Sequence, residues 1–319
     1  MKDEAKLKRT AKKTATYLLL GFVGLFMLLP FLWMLSTSVK PADDVFASSD
    51  SPVKALVPRE VHLQNYGKVY EATQVMGGGF ARWYVNSVIV AVVVTLGQVM
   101  TSACAAYAFA RLKFPGRDKL FLGYLGTMMI PGAVTMIPNF ILMRKITQWL
   151  ATAAPLVNWD AARVVSLFGR TYEIGPLVGL DSYFALIVPA MFSAYGTFML
   201  RQFFMSIPRD LEEAATIDGC GLFRIFATII LPLSKPALAT LTIFTFMGNW
   251  QSFYWPLIMV TQDSMKTLPL GLLSFMGLYS TQWDLLMAGS LMMILPMIIV
   301  FIIGQKWFVS GIQLGALKG

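Results

Sequence analysis

The feature that most limits how this chain folds is the recurrence of apolar runs long enough to cross a bilayer. Crossing about 30 Å of hydrocarbon takes roughly 20 apolar helical residues. Such runs occur near Tyr17 to Val39, Tyr84 to Ala110, Leu120 to Met143, Tyr183 to Leu200, Pro236 to Val260 and Leu285 to Gln305, and none contains Asp, Glu, Lys, Arg or His. In lipid every backbone polar group needs an internal partner, so runs of this length are expected as helices. The expectation is an all-α, polytopic membrane protein with six transmembrane helices. The composition agrees, with 56% hydrophobic residues against 13% charged.

The net charge of +9 has a membrane explanation. Lys2, Lys6, Lys8, Arg9, Lys12 and Lys13 precede the first run, and Arg111, Lys113, Arg117 and Lys119 crowd the link between the second and third. Short basic links face the cytoplasm, which predicts cytoplasmic termini. No basic stripe with interleaved aromatics occurs elsewhere, so nucleic acid is not an expected partner. The segments near Lys40 to Trp83, Arg144 to Ser182 and Thr261 to Asp284 are then external. Cys104 lies in a span and Cys220 in a cytoplasmic loop, so neither belongs to an external disulfide framework. The first run exceeds a signal-peptide core and lacks a clear cleavage site, so it is expected to stay as an anchor.

No internal repeat or linker divides the chain. The expected organisation is a basic tail over 1–16, a membrane domain over 17–308 and a cytoplasmic C-terminal tail over 309–319. Pro30, Pro131, Pro138, Pro189 and Pro296 lie inside predicted spans, where each removes a backbone donor and favours a kink.

The stretch from Ser206 to Pro232 is the most informative. Pro208 suits a first turn, and Asp210, Glu212 and Glu213 place negative charge at the positive end of a helix. Ile207, Leu211, Ala214 and Ala215 share one face, and Gly219 and Gly221 interrupt the helix before a second begins at Leu222. Two readings of this helix pair stand: an acidic, small-residue element that docks into a partner's cleft, or an amphipathic pair lying along the headgroups.

Its spacing adds to the first reading. Glu213-Ala214-Ala215, three residues, Gly219, nine residues, Ile229, one residue, then Leu231-Pro232 resembles the EAA loop of permease subunits in binding-protein-dependent ABC importers. The resemblance covers most of the chain and is nearest the MalG-like group, the second permease of maltose-type carbohydrate importers. Ala105-Ala-Tyr-Ala-Phe-Ala-Arg111, Phe114-Pro-Gly-Arg117, Met129-Ile-Pro131, Leu200-Arg-Gln-Phe-Phe204, Trp255-Pro-Leu257, Leu268-Pro-Leu-Gly271 and the terminal Gly315 to Gly319 also carry it. It implies that Glu212, Glu213, Ala214, Ala215, Asp218, Gly219, Leu231 and Pro232 form the element coupling this chain to a separate ATPase. The implied partners are a second homologous permease, two cytoplasmic ABC ATPase subunits and an extracytoplasmic solute-binding protein. The tail from Val309 to Gly319 is implied as a second contact with the ATPase.

The sequence has no Gly-x-x-x-x-Gly-Lys-[Ser/Thr] loop to cradle phosphates. No cofactor is therefore expected in this chain, with ATP and Mg held by the partner ATPase. The spans lack the buried acid or histidine of a proton relay, although a sodium-coupled secondary transporter using neutral oxygens stays open as an alternative. An enzyme would need acids, bases, a nucleophile or a metal cluster. The single histidine, His62, has no second ligand at metal spacing, and the loop charges Asp160, Arg163, Arg170, Glu173 and Asp181 are expected to face water.

A hydroxylated solute calls for neutral hydrogen-bonding groups and aromatic faces. The fifth span offers Asn249, Trp250, Gln251, Ser252 and Tyr254 as its candidate path, after Gly248. Tyr254 and Trp255 have a second reading as an interfacial aromatic belt. Members of the resembling family commonly carry Trp-Asn-Asp where this chain has Trp250-Gln251-Ser252, so only the position is carried over. Glycerol-phosphate compounds remain alternative cargo. The segment from Gln148 to Asp181 is long for its place; contact with the binding protein, a cap over the outer mouth and a packed decoration all stay open.

Overall fold

The computed structural model describes residues 2–46, 56–75, 79–153, 163–167, 170–277 and 280–316. In chain order the helices are α1 (Lys2–Ser38), α2 (Asn65–Val75), α3 (Phe80–Arg111), α4 (Arg117–Gly126) and α5 (Gly132–Ala153). A hairpin, β1 (Arg163–Leu167) and β2 (Arg170–Gly175), follows. Then come α6 (Tyr183–Ile187), α7 (Ala194–Met205), α8 (Asp210–Ile217), α9 (Leu222–Ile225), α10 (Leu231–Leu233), α11 (Lys235–Trp250), α12 (Tyr254–Met259), α13 (Leu268–Leu272) and α14 (Trp283–Ala316). The membrane part is helical, as the apolar runs require. The antiparallel hairpin falls in the long segment whose role the sequence leaves open.

Among the described residues, four helices are long and apolar enough to cross a membrane, and up to six spans result if two bent pairs each count as one. The predicted third span is not one straight helix: Arg117–Met129 and Gly132–Leu150 meet at 96°. Proline disfavours helical backbone at the residue before it, and Ile130, ahead of Pro131, is extended at φ −81°, ψ 115°. The fifth run also departs from prediction. Its helix stops at Trp250, three residues are not helical, and α12 resumes at Tyr254. Gly248 stays helical, so the interruption lies beyond it. Pro30, Pro138 and Pro296 sit inside continuous helices, whereas Pro131 and Pro189 stand where helices are interrupted.

The chain forms two compact units. One comprises residues 1–72 and 272–294. Its long helix α1 continues through the basic stretch expected as a tail, and residues Lys12–Ser38 form an apolar span. The end of α1 is closed by Asn65, whose buried amide donates to the carbonyls of Ser38 (3.1 Å) and Lys40 (2.8 Å). Those carbonyls have no helical donor of their own. Trp33 and Phe46 meet the Trp283 ring edge-on, at 6.2 and 5.9 Å. His62 lies 3.3 Å from Glu60 in this unit.

The second unit comprises residues 73–271 and 295–319. Its centre is α3, packed against α7 and α11. Small residues permit the approach, as membrane helix packing favours. Ala103, Ala106 and Ala110 of α3 cluster with Leu200 and Phe204 of α7 and Leu241 of α11, and a Cβ at Gly196 would lie 2.6 Å from Ser102 Oγ.

The N-terminal end of α3 is tied down by polar contacts. Trp83 Nε1 donates to the Asp263 carbonyl (2.8 Å), and Asn86 Nδ2 to those of Ser264 and Lys266 (both 2.9 Å). Tyr183 donates to Asn86 Oδ1 at 2.6 Å. Asp181, expected to face water, is instead buried and left-handed (φ 56°). Its carboxylate accepts the Thr261 amide (2.6 Å), the Gln262 amide (2.7 Å) and the Thr261 hydroxyl (2.6 Å). Three donors explain how a buried charge is tolerated there.

A Cβ at Gly271 would run into the fully buried Trp83 ring. Gly271→Ala is therefore expected to destabilise the fold by about 1–3 kcal/mol. The measurement is the melting temperature of the purified protein in detergent; an unchanged value would contradict the packing.

Candidate functional site

The segment from Ile207 to Ser234 builds its geometry from short-range chemistry. Arg209 has helical backbone and its carbonyl accepts the amides of Glu212 (2.9 Å) and Glu213 (3.0 Å), starting α8. Asp210, Glu212 and Glu213 occupy the first turn. The helix ends in a Schellman motif: Cys220 N–H donates to the Ala215 carbonyl (2.9 Å) and Gly219 N–H to that of Thr216 (3.0 Å). The motif demands a left-handed residue at position 219, and Gly219 supplies it at φ +80°. Helix α9 follows, and then a π-helical turn over Phe226–Ile230. Pro232 lies just beyond; a wider turn avoids the clash between a proline ring and the carbonyl four residues back. Helices Leu222–Leu233 and Lys235–Trp250 then meet at 78°.

This segment is rooted in the bundle. Ile207, Ala215, Ile225, Phe226 and Ile230 are buried in the same cluster as Ala106 and Ala110 of α3. The face turned outward carries Glu213, Ala214, Asp218 and Gly219, flanked by Ile217 (87% exposed) and Phe223 (81%). Exposed apolar side chains of this size beside two acids form a surface suited to a protein partner.

The structure divides the residues that sequence reasoning grouped. Glu212 does not join the outward acidic edge. Its carboxylate pairs with Arg111 Nε at 2.8 Å, with the two side chains only 16% and 5% exposed. Arg111 Nη2 also donates to the Ile207 carbonyl at 2.7 Å. Ala215 faces the core, Leu231 packs partly against it and Pro232 is exposed. Leu211, placed on the same face as Ile207 and Ala215 by periodicity, remains 44% exposed. Arg111 was legible only as a membrane-flanking cation, because nothing local announces a partner far along the chain.

The fifth-span cluster also splits. Trp250 is 1% exposed and is removed from the candidate path. It stacks with Phe246 (5.8 Å) and meets the Tyr84 ring edge-on (5.6 Å), so its apolar area goes into core packing. Asn249 donates to the Thr245 carbonyl within its own helix (2.8 Å). Gln251 is exposed, with a long 3.4 Å contact to Met297 Sδ, and Ser252 is half-buried. Tyr254, 71% exposed, lines an open cleft of about 590 Å³ with Thr135, Asn139, Pro189, Ala190 and Trp255 among its walls. Trp255 Nε1 is held by the Ala185 carbonyl at 3.0 Å. Sequence reasoning missed Thr135 and Asn139. Their signal was present, as neutral polar side chains directly after the Pro131 break. Among the described residues, no charged side chain lines this cleft. The C-terminal segment expected as a tail is helical through Ala316, and residues 317–319 lie outside the described residues, as does Asp160.

A family model described as "Binding-protein-dependent transport system inner membrane component" matches residues 104–313. The chain is 31% identical to the arabinooligosaccharides transport system permease protein AraQ of Halalkalibacterium halodurans, over 98% of this chain and 100% of that one. It is 33% identical to the sn-glycerol-3-phosphate transport system permease protein UgpE of Yersinia pestis, over 73% of each. Among solved structures, a bacterial ABC transporter involved in the import of the acidic polysaccharide alginate matches with a TM-score of 0.71 at 23% identity, covering 92% of this chain and 95% of that one. That likeness is one of fold.

Proposed function

We infer function from the family to which this chain belongs, the inner membrane components of binding-protein-dependent transport systems, and propose that its cargo is a carbohydrate delivered by an extracytoplasmic solute-binding protein. The chain is a multi-pass permease component of such a system. A mono-, di- or oligosaccharide fits the neutral cleft at the Pro131 break, where Thr135 and Asn139 offer hydrogen bonds and Tyr254 and Trp255 offer ring faces. The neutrality of that lining carries the proposal. A glycerol-phosphate solute, suggested by UgpE, would call for cations along its path, and the described lining of the cleft presents none.

The proposed assembly pairs this chain with a second, homologous permease and with two cytoplasmic ATPase subunits that bind ATP and Mg. Both termini then face the cytoplasm, as does the Glu213 loop. ATP-driven closure of the ATPases moves α8, and the outward acids Glu213 and Asp218, with Ile217 and Phe223, form the contact. Ala215, Ile225 and Phe226 carry the displacement into α3 and α7 because they share one packed cluster with them. A close-packed cluster transmits displacement rather than absorbing it.

The test is the ATPase activity of the assembled complex, reconstituted with its binding protein and candidate solutes. Neutral sugars are expected to stimulate it and glycerol phosphates are not; the reverse result would reassign the cargo. Asn139→Leu removes one amide from the cleft wall while keeping the number and branching of side-chain heavy atoms. It is expected to lower sugar uptake about tenfold, the worth of one hydrogen bond near 1.4 kcal/mol, without changing membrane insertion. Unchanged uptake would remove Asn139 from the path.

A further inference from the structure

A second cleft, of about 530 Å³, opens between the link joining α3 to α4 and the residue that starts α8. Its walls carry Lys113, Arg117, Lys119 and Arg209 against one acid, Asp118. Arg117 Nε is committed to Asp118 Oδ1 at 3.0 Å, and its Nη1 lies 3.4 Å from the Leu112 carbonyl. The other three cations pair with no acid among the described residues. The first turn of the ten-residue helix α4 adds the positive end of its dipole. Gly116, left-handed at φ +78°, makes the turn that sets the link beside that helix start.

We propose that this cleft binds a phosphate group, borne by the headgroup of an anionic membrane lipid. Positive loops alone would satisfy the rule of membrane orientation, but that rule does not require Arg209, far along the chain, to complete a concave basic site. Helix α4 also begins the bent candidate span Arg117–Met129, which puts the cleft at the end of a membrane-crossing segment, where lipid headgroups lie. That position favours a lipid over a soluble phosphate. Because Arg209 also begins α8 through its carbonyl, a headgroup held there touches the root of the moving loop. Lipid composition would then bias its position. This goes beyond the cargo assignment and does not depend on it.

The test titrates the delipidated, fully assembled transporter with phosphatidylglycerol or phosphatidylcholine and counts bound lipids by native mass spectrometry. Phosphatidylglycerol is expected to be retained in preference, with each of Lys113→Gln, Lys119→Gln and Arg209→Gln weakening it roughly fivefold, the effect of removing one cation near a membrane surface. The exposed variant Lys119→Gln guards against assembly loss in Arg209→Gln, which alters the residue that starts α8. Equal retention of both lipids, or undiminished retention in the variants, would overturn the site. In a parallel arm, inorganic phosphate is added as a competitor. Failure to displace lipid supports the membrane source, and displacement at matched concentrations overturns it.

Discussion

Gly219→Pro is expected to reduce transport to background while leaving the permease inserted in the membrane. Proline fixes φ near −65°, whereas the Schellman turn holds position 219 at +80°. The substitution also removes the N–H that donates to Thr216. Together these cost about 3 kcal/mol or more, concentrated at the end of α8. A graded series separates backbone conformation from crowding, because a Cβ at this position meets no atom within 4 Å. Gly219→Asn is the mildest change, since asparagine tolerates the left-handed region best among residues with a side chain. Gly219→Ala introduces strain of about 1–2 kcal/mol, and Gly219→Pro cannot adopt the turn at all. Uptake into cells or proteoliposomes should fall in that order. Wild-type uptake by the proline variant would eliminate the loop as the mechanical link. Glu213→Lys complements this series: its exposed side chain forms no ion pair among the described residues, so weaker association with the proposed ATPase partner should occur with little loss of stability.

The second large effect concerns Arg111 and Glu212. Removing one member leaves the other buried without its counter-charge, which costs about 3–5 kcal/mol. Arg111→Ala and Glu212→Ala are each expected to lower the melting temperature and weaken assembly with the proposed ATPase partner. The pair joins the end of α3 to the first turn of α8, so it fixes where the outward face of α8 sits. Arg111→Met combined with Glu212→Leu should restore most of the stability, since an apolar pair of similar volume removes both desolvation penalties. Transport in that double variant reports whether the charge pair itself matters to coupling. Additive destabilisation in the double-mutant cycle would show that the two residues do not interact.

Much of the architecture was legible in the chain. Apolar runs without charge announced the spans, and the proline at position 131 marked a place where a helix must be disturbed. The acidic first turn and the glycine at 219 announced a short helix and its stop, and both follow from bonds made within a few residues. The spacing of Glu213, Gly219 and Pro232 announced the loop. Less was legible in the site. Glu212 and Glu213 are adjacent acids with the same local propensities, yet one is buried against Arg111 and the other faces outward. Trp250 and Tyr254 were equally good solute-facing aromatics by composition, and only Tyr254 lines the open cleft.

By itself, then, the sequence determined the helical membrane class and the short helix ending at Gly219, because hydrophobic length, capping and backbone sterics act between near neighbours. Tertiary structure alone decided that the helices on either side of the Pro131 break meet at 96°. It also decided that Asn139 and Tyr254 share a cleft, that Asp181 is a buried clamp, and that Arg209 completes a basic pocket. Each of these depends on which distant segment packs against a given face, and helical period specifies a face without specifying its neighbour.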